Sequence, residues 1–323
     1  MQAILLTGTG GPDVLVAGEV PAPRPQAGEI LLRTEAIPVL FPETMLRSGA
    51  FPLPVQFPLV FGTQAAGVVT EVGAGVDASL VGQRVVVSSN SFGTYAEQVC
   101  VPAQAATPIP DGLSTDAAAA VAMSGSVAIP LLETARLTGT ETILVEAAAT
   151  GVGAYLTQLA KEYGAARVIA TAGGPEKAAR AREFGADLVV DHHTPGWTRQ
   201  LADLLGGATL DVVFDSVGGE SALELLDLMT PLQGRMLSYG FLSGAPAQVG
   251  AMDLIMRGLT LTGCSGPAWL AGVAAATGTA LHRAATGSLT PLIDRVLPLH
   301  QAAHAHRVLE DRAAKGTIIL RAG

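Results

Sequence analysis

The second half of the sequence alternates short, almost wholly apolar runs with segments of helical periodicity. The apolar runs lie at residues 143–147, 167–171, 187–191, 211–215, 235–239 and 259–262, and helical segments at 151–163, 175–184, 197–205 and 220–229 lie between them. Strands that are apolar on both faces are buried on both sides, and a helix between successive strands makes those strands parallel. We therefore predict an α/β fold with a doubly wound parallel sheet.

The first of these strands runs into a glycine-rich turn that opens a helix. The turn reads Ala148-Ala-Thr-Gly151-Val-Gly153. Small residues let the backbone approach a pyrophosphate, and the helix N-terminus offers it free N–H groups. Alanines replace the first glycine of the G-x-G-x-x-G pattern and Ala154 follows Gly153, so the turn alone also fits a tight strand-to-helix connection. Its place at the head of the β-α series favours a dinucleotide site.

The tip of the second strand predicts which dinucleotide is bound. It reads Thr171-Ala-Gly-Gly-Pro-Glu-Lys177, without the terminal acid that binds the ribose hydroxyls of NAD. The amides of Gly173 and Gly174, with Lys177 nearby, would instead meet a 2′-phosphate, which favours NADPH. The alternative is that Lys177 is simply a solvated lysine in the first turn of a helix.

The rest of the chain has a different texture. Residues 1 to about 120 contain short β-type runs at 29–33, 66–72 and 83–87, separated by Pro and Gly, and Ser114 or Thr115 can cap a helix that opens near Asp116. After residue 264 the regular alternation stops, and the tail is too short for a separate domain. We predict one β domain from residues 1–122 and 265–323 and a dinucleotide-binding domain from residues 123–264.

Composition excludes several classes of protein. The chain is 49% hydrophobic and 15% charged, with a net charge of −9 and no basic run, which argues against disorder and against nucleic acid as a partner. The first residues lack a basic n-region, so we expect a cytoplasmic protein. The uncharged stretch 258–281 is interrupted by Gly266-Pro267, so we expect no membrane span. Cys100 and Cys264 lie far apart without neighbouring ligands, which argues against a disulfide framework or structural zinc.

Several motifs together identify a family resemblance. They are Leu46-Arg-Ser-Gly49, Ala66-Gly-Val-Val69, Val81-Gly-Gln-Arg-Val85, Gly93-Thr-Tyr-Ala-Glu97, Pro110-Asp-Gly-Leu-Ser114, Thr150-Gly-Val-Gly153, Gln158-Leu-Ala-Lys161, Phe184-Gly-Ala-Asp187, Asp215-Ser-Val-Gly-Gly219 and Ala305-His-Arg-Val-Leu-Glu310. The sequence resembles the medium-chain dehydrogenase/reductase superfamily, in its zinc-free quinone oxidoreductase branch. The resemblance implies a GroES-like substrate domain, a Rossmann domain that binds NADPH, and a homodimer joined through the Rossmann sheets.

The resemblance also implies which residues form the cofactor site. They are Ser126, Val127, Thr150, Gly151, Val152, Gly153, Gly173, Gly174, Lys177, His192, Ser216, Val217, Tyr239, Gly240 and Phe241. Where the family has Tyr beside the 2′-phosphate, this chain has His192, and we expect His192 and Lys177 to bind that phosphate. The alternative is that His192 is an exposed loop histidine beside His193.

The residues at the zinc-ligand positions agree with the zinc-free branch. Zinc-dependent relatives carry Cys and a Gly-His-Glu triplet where this chain has Leu40 and Gly62-Thr63-Gln64, so no metal site is expected. His300 and His304 have helical spacing, but without a third ligand we expect them to serve packing or the surface.

The substrate loop has also lost most of its polar groups. Quinone oxidoreductases typically place Asn, Asp and two Tyr where this chain has Leu40, Glu43, Met45 and Phe51, which are the candidate pocket residues. We expect an apolar pocket in which backbone amides, water or Glu43 polarise a substrate carbonyl. The alternative is that Glu43 is a structural partner of Arg47 at i, i+4.

These features predict a zinc-independent, NADPH-dependent reductase that transfers hydride to a small apolar quinone or α,β-unsaturated carbonyl. Holding the two reactants together would supply most of the catalysis, so no catalytic residue is assigned. The alternatives are an enoyl-thioester or polyketide-tailoring reductase, and a non-catalytic NADPH-binding protein.

Overall fold

The structure is a computed structural model, and it describes residues 1–51, 55–89 and 91–322. The helices of this part are α1 (Phe41–Ser48), α2 (Thr115–Ala135), α3 (Gly151–Leu159), α4 (Pro175–Glu183), α5 (Trp197–Leu205), α6 (Ser221–Leu226), α7 (Ala251–Arg257), α8 (Pro267–Ala285) and α9 (Ala302–Glu310). The strands are β1 (Gln2–Leu6), β2 (Leu15–Glu19), β3 (Glu29–Val39), β4 (Leu59–Val60), β5 (Gln64–Val72), β6 (Arg84–Ser88), β7 (Gln98–Pro102), β8 (Ala106–Pro108), β9 (Thr142–Val145), β10 (Arg167–Ala172), β11 (Leu188–Asp191), β12 (Val212–Asp215), β13 (Arg235–Ser238), β14 (Thr260–Gly263), β15 (Ile293–Pro298) and β16 (Thr317–Arg321).

The chain divides into two compact units. The first comprises Met1–Met123 with Thr277–Gly323, and the second comprises Ser124–Ala276. Their boundaries fall within α2 and α8, so residues 265–276, which we expected in the first domain, belong to the second unit.

The second unit is a Rossmann domain, as predicted. Its six strands pair in the order β11-β10-β9-β12-β13-β14, all in parallel. Numbered along the chain this order is 3-2-1-4-5-6, so the winding direction reverses between β9 and β12. Both strands are buried on both faces, since Ile143, Leu144, Val213 and Phe214 have no exposed surface. The carboxyl ends of β9 and β12 therefore open onto the crevice where such sheets bind nucleotides.

The first unit is a GroES-like β domain, also as predicted. A three-stranded sheet has the order β2-β1-β4, and a larger sheet has the order β15-β16-β3-β5-β6-β8, with β7 also paired to β3. The last strand, β16, runs antiparallel to β3, with Ile318 opposite Val39 and Leu320 opposite Ile37. The carboxyl-terminal segment thus completes the sheet that the amino-terminal segment begins.

The substrate loop contains a helix that we did not predict. Helix α1 begins after Leu40, which has no side chain able to cap it, and the Glu43 carboxylate instead accepts a hydrogen bond from the Leu40 amide at 3.0 Å. Pro42 fits the first turn because it needs no N–H partner there, and Gly49, with φ 85°, ends the helix. The capping carboxylate therefore belongs to a residue inside the helix. No Ser, Thr, Asp or Asn stands at the N-cap position, which is the usual sequence signal for the start of a helix.

One helix is long and apolar enough to cross a membrane, judged on the described residues. This helix is α2, and 67% of its most apolar window is buried in the protein, as in the core helix of a soluble protein. The stretch 258–281 is divided between β14 and α8.

Candidate active site

The glycine-rich turn lies at the carboxyl end of β9 and leads directly into α3. Thr150 is extended and its side chain makes no capping bond, so the first amides of α3 are left to other acceptors. A Cβ on Gly153 would lie 2.6 Å from the Ala147 carbonyl oxygen and 2.7 Å from that of Glu146. Only glycine lets the helix pack this closely on the strand, as a dinucleotide turn requires. The turn therefore fits the pyrophosphate of the cofactor.

The tip of β10 carries a polar cluster at the ribose position. His192 is half-buried, its Nδ1 lies 3.2 Å from Thr171 Oγ1, and a Cβ on Gly173 would lie 3.0 Å from its Nε2. His193 is exposed and packs edge-on against His192, with the ring centres 5.0 Å apart. Two imidazoles thus lie beside Gly173, where the sequence predicts a 2′-phosphate.

An acid that was not predicted to belong to the site also reaches this tip. The carboxylate of Asp191, the last residue of β11, accepts hydrogen bonds from the amides of Gly174 at 3.1 Å and His193 at 2.9 Å. These bonds lower the pKa of Asp191. The Gly174 amide, which we expected to face a phosphate, is therefore engaged by Asp191. Lys177 lies in the first turn of α4, as predicted.

The loops after β12 and β13 run side by side. The amide of Leu242 donates to the Ser216 carbonyl at 2.9 Å, and that of Ser243 donates to the Val217 carbonyl at 2.9 Å. A Cβ on Gly240 would lie 2.9 Å from the Ser216 carbonyl oxygen, so glycine is needed there. Most of the predicted site residues of the second unit thus lie at one edge of one sheet, in the loops after its strands or in the first turn of α3; they are Thr150, Gly151, Val152, Gly153, Gly173, Gly174, His192, Ser216, Val217, Tyr239, Gly240 and Phe241. Ser126 and Val127 lie on α2.

Two carboxyls are buried at this same edge. Glu146 follows the last residue of β9 and is 1% exposed, and Asp215 ends β12 and is 0% exposed. Neither was predicted as a site residue, because in the sequence each is an ordinary polar residue at the end of a strand. Only the pairing of β9 with β12 brings them together.

In the first unit, Glu43 anchors the substrate loop. Its carboxylate is completely buried and accepts bonds from the Leu40 amide, from the Thr63 amide and hydroxyl at 2.8 Å each, and from the Tyr95 hydroxyl at 2.7 Å. Burial raises the pKa of Glu43, and these four donors oppose the rise. Both carboxylate oxygens are thus occupied, which leaves Glu43 unsuited to polarise a substrate carbonyl.

Arg47 does not pair with Glu43, although the helical spacing allows it. Its guanidinium is buried and donates to the carboxylate of Glu310 and to the carbonyl of Gly10. Burial lowers the pKa of Arg47, and the charge of Glu310 opposes the change. Neither of our two expectations for Glu43 therefore describes its role, which is to hold α1 against the Gly62-Thr63 turn.

The other pocket candidates are apolar residues. Leu40 is buried and Met45 and Phe51 are half-buried. The Phe51 amide donates to the Met45 carbonyl at 3.2 Å, which folds the chain back after α1. Residues 52–54, which follow, lie outside the described residues.

The positions that bind zinc in zinc-dependent relatives, according to the resemblance, serve other purposes here. Thr63 donates both its amide and its hydroxyl to Glu43, and the side-chain amide of Gln64 donates to Ser88 Oγ at 3.3 Å. Across residues 1–51, 55–89 and 91–322, no three His, Cys, Asp or Glu side chains are grouped closely enough to hold a metal ion.

Comparison with known proteins assigns the chain to a family. Residues 26–111 match the alcohol dehydrogenase GroES-like domain and residues 151–278 match the zinc-binding dehydrogenase family. The chain is 34% identical to a quinone oxidoreductase of Salmonella typhimurium over 96% of both proteins, and 32% identical to a 2-haloacrylate reductase of a Burkholderia species over 99% of this chain and 98% of that one. The crystal structure of Escherichia coli quinone oxidoreductase complexed with NADPH superposes with a TM-score of 0.91 at 33% identity, over 99% of this chain and all of that one.

This chain belongs to the medium-chain dehydrogenase/reductase superfamily, in its quinone oxidoreductase branch. The resemblance seen in the sequence motifs is thereby confirmed.

Proposed function

We propose that this protein is a zinc-independent, NADPH-dependent reductase whose acceptor is a quinone or another small, apolar, α,β-unsaturated carbonyl compound. The observation that carries the proposal is the glycine-rich turn at the β9–α3 junction, in a chain that matches an NADPH-complexed quinone oxidoreductase over nearly its whole length. The protein is an NADPH-dependent oxidoreductase, and bound NADPH supplies the hydride.

The second unit binds the cofactor in this proposal. The free amides at the start of α3 hold the pyrophosphate, helped by the helix dipole. His192 and Lys177 bind the 2′-phosphate, and the half-buried position of His192 beside Gly173 supports this role. The negative charge of Asp191 opposes the binding of a phosphate there. His192 and Lys177 must offset this charge, and they provide the preference for NADPH over NADH. When NADPH is bound, Tyr239, Gly240 and Phe241 would contact the nicotinamide half of the cofactor, as would Ser126 and Val127.

The first unit binds the acceptor. Leu40, Met45 and Phe51 offer apolar surface for a quinone or enone ring. Because Glu43 is fully hydrogen-bonded, backbone amides or water must polarise the carbonyl oxygen, and Glu43 acts by fixing the position of α1. Orientation of the two reactants then supplies most of the rate enhancement.

The Thr63–Glu43 hydrogen bonds support zinc independence. The residue at the histidine-ligand position is Thr63, whose amide and hydroxyl both donate to Glu43, and the residue at the cysteine-ligand position is Leu40. Neither side chain is a zinc ligand of the kind that catalytic sites use.

An exposed apolar surface supports a homodimer. Met252, Ile255 and Met256 on α7 are 62%, 67% and 74% exposed. The edge strand β14 pairs only with β13 among the described residues. An apolar surface beside an open strand edge is typical of an interface between two copies of one chain. We propose that two copies join through their Rossmann sheets, in a cytoplasmic enzyme.

The test follows the loss of nicotinamide absorbance when the protein is mixed with NADPH or NADH and a panel of quinones, enones, 2-haloacrylate and enoyl thioesters. We expect oxidation of NADPH by quinones or enones, a slower reaction with NADH, and no effect of a zinc chelator. Faster turnover of enoyl thioesters would favour an enoyl-thioester reductase. Binding of NADPH without consumption of any acceptor would favour the non-catalytic alternative.

A pair of glycine variants ties the activity to the turn. Gly153→Ala places a methyl group against two carbonyl oxygens and should abolish NADPH binding. Gly272→Ala, in α8 of the same unit, places it in open space and should change nothing. Unchanged binding in the Gly153 variant would contradict the proposed site.

A further inference from the structure

Glu146 and Asp215 form a buried pair of carboxyls at the point where the Rossmann sheet reverses its winding. The strands that carry them are direct neighbours, with Phe214 opposite Val145 in the parallel register, and the Glu146 amide donates to the Phe214 carbonyl at 3.2 Å. Each carboxyl is almost completely removed from solvent. Two buried carboxylates at adjacent positions on neighbouring strands cannot both be charged without a cation between them.

Asp215 acts as the acceptor of the pair. Its Oδ1 accepts bonds from the amides of Val217 at 3.0 Å and Gly218 at 2.7 Å, and its Oδ2 accepts one from the Ser238 hydroxyl at 2.8 Å. These bonds tie the loop after β12 to the end of β13.

Glu146 must therefore be the donor. Glu146 and Asp215 each come one residue after the paired Val145 and Phe214, so their side chains leave neighbouring strands at adjacent positions, with the amides of Ser216 and Val217 close by. Its Oε2 is buried, and no N–H or O–H group of the described residues donates to it. Burial and the charge of Asp215 raise the pKa of Glu146 well above its usual range. A hydrogen bond between two carboxyls needs a proton, and because both oxygens of Asp215 already accept hydrogen bonds, we infer that Glu146 carries it.

The other titratable groups around the pair do not add a positive charge next to it. Tyr239 faces both carboxyls from the end of β13, and burial raises its pKa. Cys264 faces Tyr239 from the end of β14, and burial raises its pKa to about 11, so that both are neutral at pH 7. On the β10 side, His192 contacts Thr171, whose hydroxyl accepts the Ala147 amide at 3.1 Å.

The pair links the two loops that border the nucleotide crevice. Glu146 immediately precedes the glycine-rich turn, and Asp215 immediately precedes the loop that contains Ser216 and Val217. A neutral acid can join these loops without placing an extra negative charge beside an anionic pyrophosphate, which an ionised Glu146 would repel.

We propose that Glu146 is a positioning residue of the cofactor site, a neutral carboxylic acid that donates its proton to Asp215 and thereby holds the glycine-rich turn against the loop after β12. The inference rests on the proposed function in that these loops bind NADPH. In this role Glu146 is protonated and acts through Asp215, and it does not itself need to touch the cofactor.

The experiment compares Glu146→Gln, Glu146→Leu and the wild type by fluorescence titration with NADPH and NADH. Gln keeps a neutral donor to Asp215, so the Kd for each dinucleotide should stay within about threefold, whereas Leu removes the bond and should raise both Kd values at least tenfold. Both dinucleotides respond because both carry the pyrophosphate. Infrared difference spectra should show the C=O band of a protonated carboxylic acid in the wild type that is missing in Glu146→Gln.

Asp211→Asn is the matched control. The Asp211 carboxylate joins the same two strands at their opposite ends, through a 2.8 Å bond from the Thr142 amide, and its loss should leave both Kd values unchanged. Urea unfolding of each variant confirms that it is folded.

Several results would overturn the inference. They are the absence of the protonated-acid band in the wild type, equal weakening of dinucleotide binding by Glu146→Gln and Glu146→Leu, unchanged binding in Glu146→Leu, or a loss of affinity for NADPH but not for NADH. If the wild type binds neither dinucleotide, the proposed function fails as well, and the infrared band still decides whether the two carboxyls share a proton.

Discussion

The Tyr95 hydroxyl lies 3.1 Å from Nε2 of His306, a residue 211 positions further along the chain. Tyr95 gives its one proton to Glu43, at 2.7 Å, so His306 must donate from Nε2 and keep an unprotonated Nδ1. That Nδ1 is buried without a hydrogen-bond partner among the described residues. His306 is therefore neutral in the folded protein and helps to hold the anchor of the substrate loop.

This relationship predicts how stability responds to acid. Burial, assisted by the charge of Arg47, lowers the pKa of His306 from 6.5 to about 3. Between these values the unfolded chain takes up a proton that the folded protein excludes, so this contribution is present in full above pH 6.5 and is lost as the pH falls towards 3. The free energy of unfolding should fall by about 1.4 kcal/mol per pH unit in this window from His306 alone. His306→Gln keeps a hydrogen-bond donor and removes the titrating group, so its free energy of unfolding should depend less on pH. If urea unfolding shows the same pH dependence for the variant and the wild type, the prediction is wrong.

Glu43→Gln should destabilise the first unit. The Gln side chain replaces one carboxylate oxygen with an NH2 group, which cannot accept the hydrogen bonds that this oxygen now accepts. The buried donors and the NH2 group are then left without acceptors, which costs about 2–4 kcal/mol. Urea denaturation at pH 7 measures the loss. Glu71→Gln, which changes an exposed carboxylate on β5, should stay within about 0.5 kcal/mol of the wild type. Equal stability of the two variants would mean that Glu43 is not an anchor.

Gly62→Ala should be much more harmful than Gly82→Ala. The two glycines have nearly the same backbone conformation, with φ of 88° and 84°, so both substitutions introduce the same backbone strain of about 1 kcal/mol. A Cβ on Gly62 would also lie 2.1 Å from Tyr95 Cδ1, whereas one on Gly82 meets nothing within 4 Å. We expect a loss of at least about 3 kcal/mol for Gly62→Ala in urea unfolding. A difference below about 1 kcal/mol between the variants would contradict the close packing of Gly62 on Tyr95.

His192→Ala should weaken NADPH binding and spare NADH binding. Loss of one partly solvated cation beside a phosphate corresponds to a three- to tenfold higher Kd, or about 0.7–1.4 kcal/mol. Fluorescence titration with NADPH and NADH measures the effect, with the exposed His300→Ala as control. If His192→Ala has the same preference for NADPH over NADH as the wild type, His192 does not bind the 2′-phosphate.

Met256→Glu should separate the proposed dimer into monomers. Met256 is 74% exposed on α7, and a charge in the middle of an apolar interface is costly to bury. Light scattering after size-exclusion chromatography gives the mass directly. Leu204→Glu changes a 44% exposed residue on α5, away from α7, and should leave the mass unchanged. A wild-type monomer would refute the dimer outright.

The sequence predicts the Rossmann sheet well because its strands are apolar on both faces. The ends of β9 to β14 agree with the predicted runs to within two residues, and α5 agrees completely. Helix α1 was missed since its cap comes from Glu43, a residue inside the helix, so no cap residue precedes it in the sequence.

The site is harder to predict, because its decisive contacts join residues from different strands. Glu146 and Asp215 are separated by nearly seventy residues, and only the order of the strands makes them neighbours. Asp191 likewise reaches Gly174 through the pairing of β11 with β10. The preference of Glu43 for Thr63 over Arg47 depends on how α1 meets the turn before β5, which helical spacing alone does not specify.

The pairing of β16 with β3 has a consequence for synthesis on the ribosome. Strand β3 ends at Val39 and its partner begins at Thr317, so every residue between them must be made before this part of the sheet can close. The Rossmann unit, whose six strands lie together within one continuous segment, can fold as soon as that segment emerges. The nascent chain should therefore carry a folded cofactor domain while one edge of β3 is still unpaired.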